Sequence, residues 1–338
     1  MKAIGVAKYG SVDNFESRGV PRPGSPTGMD ILIQVKACSV NPIDTKVRKG
    51  TYDDAPHYYK FVPKDFHIIG FDGAGTPGDD VFYVSSTTRQ GSAAEYLLVD
   101  ERHCAQKPKS LDFVEAASMG LTFGTAYQSL VDRLEIKQNE KVGILIINGG
   151  GGVGSAAIQI ARKVLQLPVV IATASRPETM ESCRKMGATH VVNHRGDLES
   201  QIKALNLDVP IRYAYVVARS EQYIHPLGKI CAPFAKVCSI VQAKFDLYGT
   251  EFMSKSMTFS WDWLGSSAYH RTNLENYHRI FGTLAHYMDE GMLVPNLSRR
   301  LKLNVAGLKE AHQLIESSTT VGKISLGVDE PGEGTPFT

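Results

Sequence analysis

No C-x-x-C pair occurs in this chain, and its five cysteines (Cys38, Cys104, Cys183, Cys231, Cys238) are odd in number and far apart. That excludes a disulfide framework and a zinc-ribbon arrangement, and makes reduced thiols the expectation. Long hydrophobic runs are also missing. Nothing approaches the ~18 apolar residues of a membrane span, and Met1 to Lys8 lacks the apolar stretch of a signal peptide, so a cytosolic location is expected and a membrane is not. Excess charge of one sign is absent too. With 37 basic and 35 acidic residues the net charge is +2, which argues against an electrostatically driven nucleic-acid partner. Hydrophobic residues at 43% and charged residues at 21% exclude general disorder. There is no internal repeat, and 338 residues imply two domains or one large one at ~150 residues each.

What is present divides near Leu111. Before it, Ile31 to Ala37, Asp80 to Val84 and Ala94 to Val99 read as short strands separated by Pro and Gly punctuation such as Thr76-Pro77-Gly78-Asp79. After a helix over Asp112 to Met119 and another over Thr125 to Arg133, strands and helices alternate. Strands are expected at Val142 to Asn148, Val169 to Ala174, Val191 to Asn193, Tyr213 to Ala218 and Lys236 to Val241. Helices are expected at Val153 to Leu165, Glu178 to Met186, Leu198 to Leu205 and Leu274 to Asp289. Alternation at this spacing is the sequence form of a doubly wound parallel sheet. A last helix (Ala306 to Ser317) and strand (Lys323 to Val328) follow, and a disordered tail is expected over 331–338.

The first strand of the alternating region runs directly into Gly149-Gly150-Gly151-Gly152-Val153-Gly154. Gly149, Gly151 and Gly154 satisfy G-x-G-x-x-G between a strand and a helix, and Gly152 and Val153 join them as candidate cofactor-binding residues. A tight turn needs positive φ, a pyrophosphate needs close backbone approach, and the helix start supplies unpaired N–H groups. The end of the second strand decides the cofactor, because a carboxylate there repels a ribose 2′-phosphate. It reads Ala174-Ser175-Arg176-Pro177. Ser175 and Arg176 offer a hydroxyl and a guanidinium, which favours NADP(H); a solvated Arg beside a loop is the plainer reading.

Ser39 to Arg48, the glycine run, Ala172 to Thr179 and Gly322-Lys323-Ile324 together resemble the medium-chain dehydrogenase/reductases. Within them the chain is most similar to zinc-type alcohol dehydrogenase-like proteins of the quinone oxidoreductase (zeta-crystallin) group. The resemblance covers nearly the whole chain. It implies an α/β architecture, a GroES-like β-barrel catalytic domain over 1–118 and 290–330 with a Rossmann NADP(H)-binding domain over 119–289, an active site between the two, and a homodimer. It also implies a reductase of quinones or α,β-unsaturated carbonyls, with a trans-acting enoyl reductase or a low-turnover NADPH-binding protein of crystallin or RNA-binding type as alternatives.

Zinc is tested against this resemblance ligand by ligand. Where zinc-dependent relatives carry Cys before Asp44, this chain has Asn41, and where they carry Gly-His-Glu it has Gly70-Phe71-Asp72. Three protein ligands are required and Phe supplies none, so no metal is expected. His57 and His67 read as loop residues. A further departure lies between Gly75 and Gly78, where about a dozen residues of the relatives are absent; unpaired sheet edges are the expected result.

For a metal-free reaction the resemblance implies Asn41 and Tyr52 as catalytic candidates. Asn41 is an amide donor facing the nicotinamide, or an Asn-Pro turn starter. Tyr52 is a proton or hydrogen-bond donor to a developing oxyanion, or a packed aromatic. Thr125 and Lys323 resemble positions contacting nicotinamide ribose or phosphates; a helix cap and a solvated lysine are their plainer readings. Asp44 orders its loop. Phe259, Trp261, Trp263 and Tyr269 line an acceptor pocket or belong to the core.

Overall fold

The structure is a computed structural model that describes residues 1–51 and 65–338; Tyr52 and His57 lie outside the described residues. These form two compact units, Met1–Gly124 with Gly265–Thr338, and Thr125–Leu264. Among the described residues no helix is long and apolar enough to cross a membrane, and all five cysteines are buried free thiols.

In the first unit, Lys2–Val6 pairs antiparallel with Phe15–Gly19 and His67–Ile68. A second sheet runs in the order Leu297–Lys302, Lys323–Gly327, Asp30–Val40, Asp72–Thr76, Val81–Val84, Cys104–Gln106, with Tyr96–Asp100 added to Asp30–Val40. One apolar core, including Ile4, Phe15, Ile33, Val35, Leu97, Leu308 and Leu326, is shared by both sheets. The eleven-residue strand Asp30–Val40 is the organiser. One edge binds Tyr96–Asp100 along its first half and Lys323–Gly327 along its last residues, and the other edge binds Asp72–Thr76.

The short Pro77–Asp80 connection keeps its two flanking strands paired, so that among the described residues the expected unpaired edge is confined to the first residues of Asp30–Val40. It folds Asp72–Thr76 and Val81–Val84 into a hairpin in register Gly73↔Tyr83 and Gly75↔Val81. Glycine is required there because a Cβ on Gly75 would lie 2.2 Å from the Gln34 carbonyl oxygen. Pairing along that edge of Asp30–Val40 begins only at Gln34.

Two boundary expectations change. The helix Glu275–Asp289, expected in the Rossmann part, packs in the first unit. Its buried Tyr277, Ile280, Phe281, Leu284 and Met288 share one face, where Phe281 meets Phe82 at 5.4 Å between centroids and His278 bonds the Cys104 carbonyl at 2.9 Å. The tail is anchored rather than disordered. Phe337 is buried, its N–H donates to Leu303 O at 2.8 Å, and Thr338 O accepts from Val305 N–H at 3.0 Å.

The second unit is a six-stranded, wholly parallel sheet in the order His190–Val192, Val169–Thr173, Gly143–Ile147, Ile211–Val216, Lys236–Ser239, Thr258–Trp261. Numbered along the chain this order is 3-2-1-4-5-6, the Rossmann arrangement, in which ligands bind beyond the carboxyl ends of the strands where the order reverses. Both faces are covered, as the fully buried Gly143–Ile147 requires. The last strand was not expected; on it Phe259 and Trp261 pack edge to face at 4.8 Å, with Phe245 against both.

Candidate active site

In the first unit, sheet register assembles a polar cluster. Val40 pairs with Ile324 and Cys38 with Gly73, so Asn41 emerges beside Lys323 and Ser39 beside Asp72. Asn41 then caps the helix Pro42–Arg48, with Pro at its first turn and the Asp44 carboxylate accepting the Asn41 N–H at 2.6 Å. The far end of that helix is fixed by buried Arg48, which donates to His312 Nδ1 at 3.3 Å, to Gly10 O and to Glu316.

Within the cluster Lys323 Nζ donates to Asn41 Oδ1 at 2.6 Å and to Val40 O at 3.0 Å. Asn41 Nδ2 donates to Asp72 Oδ1 at 3.0 Å, which also accepts from Ser39 Oγ at 2.6 Å, and Asp72 Oδ2 accepts the Leu121 N–H at 3.1 Å. Asn41, Asp44 and Asp72 are each at most 1% exposed and Lys323 is 5% exposed. Two carboxylates and one ammonium therefore share a dry volume. Burial, then repulsion from Asp72, raises the Asp44 carboxyl to about 7. Burial also raises Asp72, opposed by Lys323 and its hydrogen bonds, and lowers Lys323, opposed by Asp72 and Asp44. Asp44 Oδ1 is buried and has no hydrogen-bond partner among the described residues.

Of the residues singled out by sequence, Asn41 and Lys323 are thus brought together. The Asn41 amide is spent on Lys323 and Asp72, and the Lys323 ammonium on Asn41 and Val40. Ser39 and Asp72 complete the cluster, and the only local signal for them is a hydroxyl and a carboxylate within otherwise small, buried strand residues. Thr125 lies inside the helix Gly120–Tyr127 rather than at its start, which removes the capping reading.

In the second unit, Gly143–Ile147 leads through Asn148 to the helix Gly152–Gln159, capped by Gly151. The left-handed turn residue is Asn148 at φ 63°, not a glycine; Asn tolerates this region better than most residues. The glycines serve close approach. A Cβ on Gly149 would lie 2.7 Å from Ala172 Cβ, and one on Gly154 2.3 Å from Asn148 O. On Gly151 it would meet nothing nearer than Asn148 Nδ2 at 3.5 Å. Gly151 therefore keeps an open face beside a helix start whose Gly152, Val153 and Gly154 N–H groups have no partner among the described residues. These features fit a dinucleotide pyrophosphate. At the end of Val169–Thr173, Ser175 and Arg176 are half-buried, and the Arg176 guanidinium has no partner among the described residues.

A Rossmann unit with a glycine cradle, carried in one chain with a largely antiparallel β unit, is an arrangement suited to binding a dinucleotide. A family profile described as zinc-binding dehydrogenase matches residues 186–326. A zinc-type alcohol dehydrogenase-like protein of Staphylococcus aureus (strain COL) is 34% identical over 348 residues, covering 97% of this chain and 100% of the relative. The quinone oxidoreductase of Homo sapiens is 33% identical over 207 residues, 58% of this chain and 59% of the relative. A crystal structure from Rhizobium etli CFN 42, provisionally described as a zinc-dependent alcohol dehydrogenase, has a TM-score of 0.89 at 36% identity, covering 99% of this chain and 98% of that one. The chain belongs to the zinc-type alcohol dehydrogenase-like proteins of the medium-chain dehydrogenase/reductase superfamily.

The zinc in that family description does not fit the residues present. Phe71 offers only carbon and packs with Val47, Ile43 and Leu121. Asn41 Oδ1 accepts from the ammonium, and both Asp72 oxygens accept from N–H or O–H donors. Among the described residues no group of three or more His, Cys, Asp or Glu could hold a metal ion.

Proposed function

We propose that the chain is a metal-independent, NADPH-dependent oxidoreductase reducing quinones or α,β-unsaturated carbonyls, working as a homodimer. The observation that carries the reading is the cradle with an open Gly151 face, followed at the next strand end by Ser175 and Arg176 in place of an acidic residue. Gly149, Gly151, Gly152, Val153 and Gly154 would hold the pyrophosphate, and Ser175 with Arg176 the 2′-phosphate. A bound nicotinamide cofactor supplies the hydride. Asn41 and Lys323 serve by fixing the loop that opens the helix Pro42–Arg48, and Tyr52 is the proton donor by family resemblance. The quinone choice is supported by the similarity to the human quinone oxidoreductase.

The test is NADPH and NADH oxidation against a panel of quinones, enones and enoyl thioesters, with products identified and oligomeric state measured in parallel. Turnover of quinones or enones with NADPH preferred is expected. Turnover of enoyl thioesters alone would move the assignment to an enoyl reductase, and tight NADPH binding without turnover to a binding protein.

A further inference from the structure

The buried ammonium of Lys323 stands 282 residues from its partner in sequence, in a cluster whose other charged members are both carboxylates. No carboxylate oxygen lies within salt-bridge distance of it among the described residues. The link to Asp72 instead passes through one amide: Lys323 N–H to Asn41 Oδ1, and Asn41 N–H to Asp72 Oδ1. A cation on its oxygen and an anion on its nitrogen fix which way round the amide sits, because a flipped Asn would set N–H against N–H and oxygen against oxygen.

We propose that Lys323 is the resident cation of this cluster and that it acts as a positioning residue for Asn41. The charge count supports this. Without the ammonium, Asp72 and Asp44 would face each other in a volume closed to water, with Asn41 Oδ1 and Val40 O left as buried acceptors. Of these oxygens, Asn41 Oδ1 and Val40 O face the ammonium directly, and the two carboxylates supply the surrounding negative charge. A shorter side chain at 323 therefore turns the cluster into a cation site, and an uncharged side chain of the same length leaves it filled and unbalanced. The idea rests on the oxidoreductase reading only for what Asn41 is positioned to serve.

The experiment uses no substrate, so its failure is distinct from failure of that reading. Purified wild type, Lys323→Ala, Lys323→Met and Lys323→Ala/Asp72→Ala are dialysed against Zn²⁺ or Co²⁺, and bound metal is measured by elemental analysis and the Co²⁺ visible spectrum. Wild type and Lys323→Met should hold essentially none. Lys323→Ala should take up about one equivalent, lost again when Asp72 is removed. Ethylammonium, which restores the missing charge and part of the stem, should raise the melting temperature of Lys323→Ala and leave that of wild type unchanged. Should Lys323→Ala not fold alone, recovery on refolding with ethylammonium or Zn²⁺ supports the proposal, and failure with both overturns it. A folded Lys323→Ala indifferent to both cations, or wild type holding an equivalent of metal, also overturns it.

Discussion

Replacing Asp44 by Asn should make the protein more stable at neutral pH, although Asp44 is buried and hydrogen-bonded. The Asn side chain keeps an oxygen to accept the Asn41 N–H, so the loop is retained. What it removes is a charge. In the folded protein the Asp44 carboxyl lies at about 7 rather than at its ordinary 3.8. Burial raises it first and Asp72 on the adjoining strand second, while the Asn41 N–H and Lys323 oppose; buried Cys38 also faces the carboxylates.

The sign follows from linkage. Between pH 3.8 and about 7 the folded state holds a proton that the unfolded state has released, so stability falls as pH rises through that window and levels off above it. At about 1.36 kcal/mol per pH unit, the interval amounts to about 4 kcal/mol. Urea unfolding of wild type and Asp44→Asn, compared at each pH from 4 to 8, reads this group together with the charges it faces, because the titrations of groups remote from Asp44 cancel in the difference. The two proteins should lie within about 1 kcal/mol at pH 4 and diverge by up to about 4 kcal/mol at pH 7.5, with the variant more stable. Parallel curves across the window, or a wild type more stable than the variant above pH 7, would refute the reasoning that Asp44 is the proton-holding member of the cluster.

The remaining predictions concern the nucleotide and the acceptor. Arg176→Ala should weaken NADPH binding roughly 10- to 150-fold, as loss of a charged hydrogen bond of about 1.5–3 kcal/mol implies, and leave NADH binding unchanged in a fluorescence titration. Gly151→Ala should keep the melting temperature but lose NADPH affinity, since its Cβ meets no atom nearer than 3.5 Å and enters the open face. Gly154→Ala should lose stability even without nucleotide, because its Cβ falls 2.3 Å from Asn148 O and 2.7 Å from Gly149 Cα, both backbone. Tyr52→Phe should lower kcat and kcat/KM together, by roughly 100-fold for a donor aimed at developing charge; a change confined to KM would return Tyr52 to substrate binding.

How far the chain can be read without its structure depends on whether a feature is local. The parallel sheet is legible because its strands are buried on both faces, and Ile144-Leu145-Ile146-Ile147 announces this without reference to any neighbour. The glycine run is legible for the same reason, although which residue takes positive φ is not: Asn148 does so while the glycines admit backbone and helix. Asp72-Gly73-Ala74-Gly75-Thr76 has almost no strand propensity, yet it is a strand because Asp30–Val40 and Val81–Val84 supply hydrogen bonds on either side. The helix Glu275–Asp289 declares its apolar face by period, but a period does not say which unit that face meets.

The polar cluster is the limiting case, since the residue types at Asn41, Asp44 and Lys323 are visible and their state is not. A lysine at a strand end is normally solvated, and only the register Val40↔Ile324 puts this one against a buried amide oxygen. An Asn before Pro normally starts a turn or faces a ligand; here the same register, with Cys38↔Gly73, commits both ends of its side chain to the protein. Each of these side chains costs free energy to bury alone, and each is tolerated because the others are present. Interdependence of that kind has no sequence period and no fixed spacing.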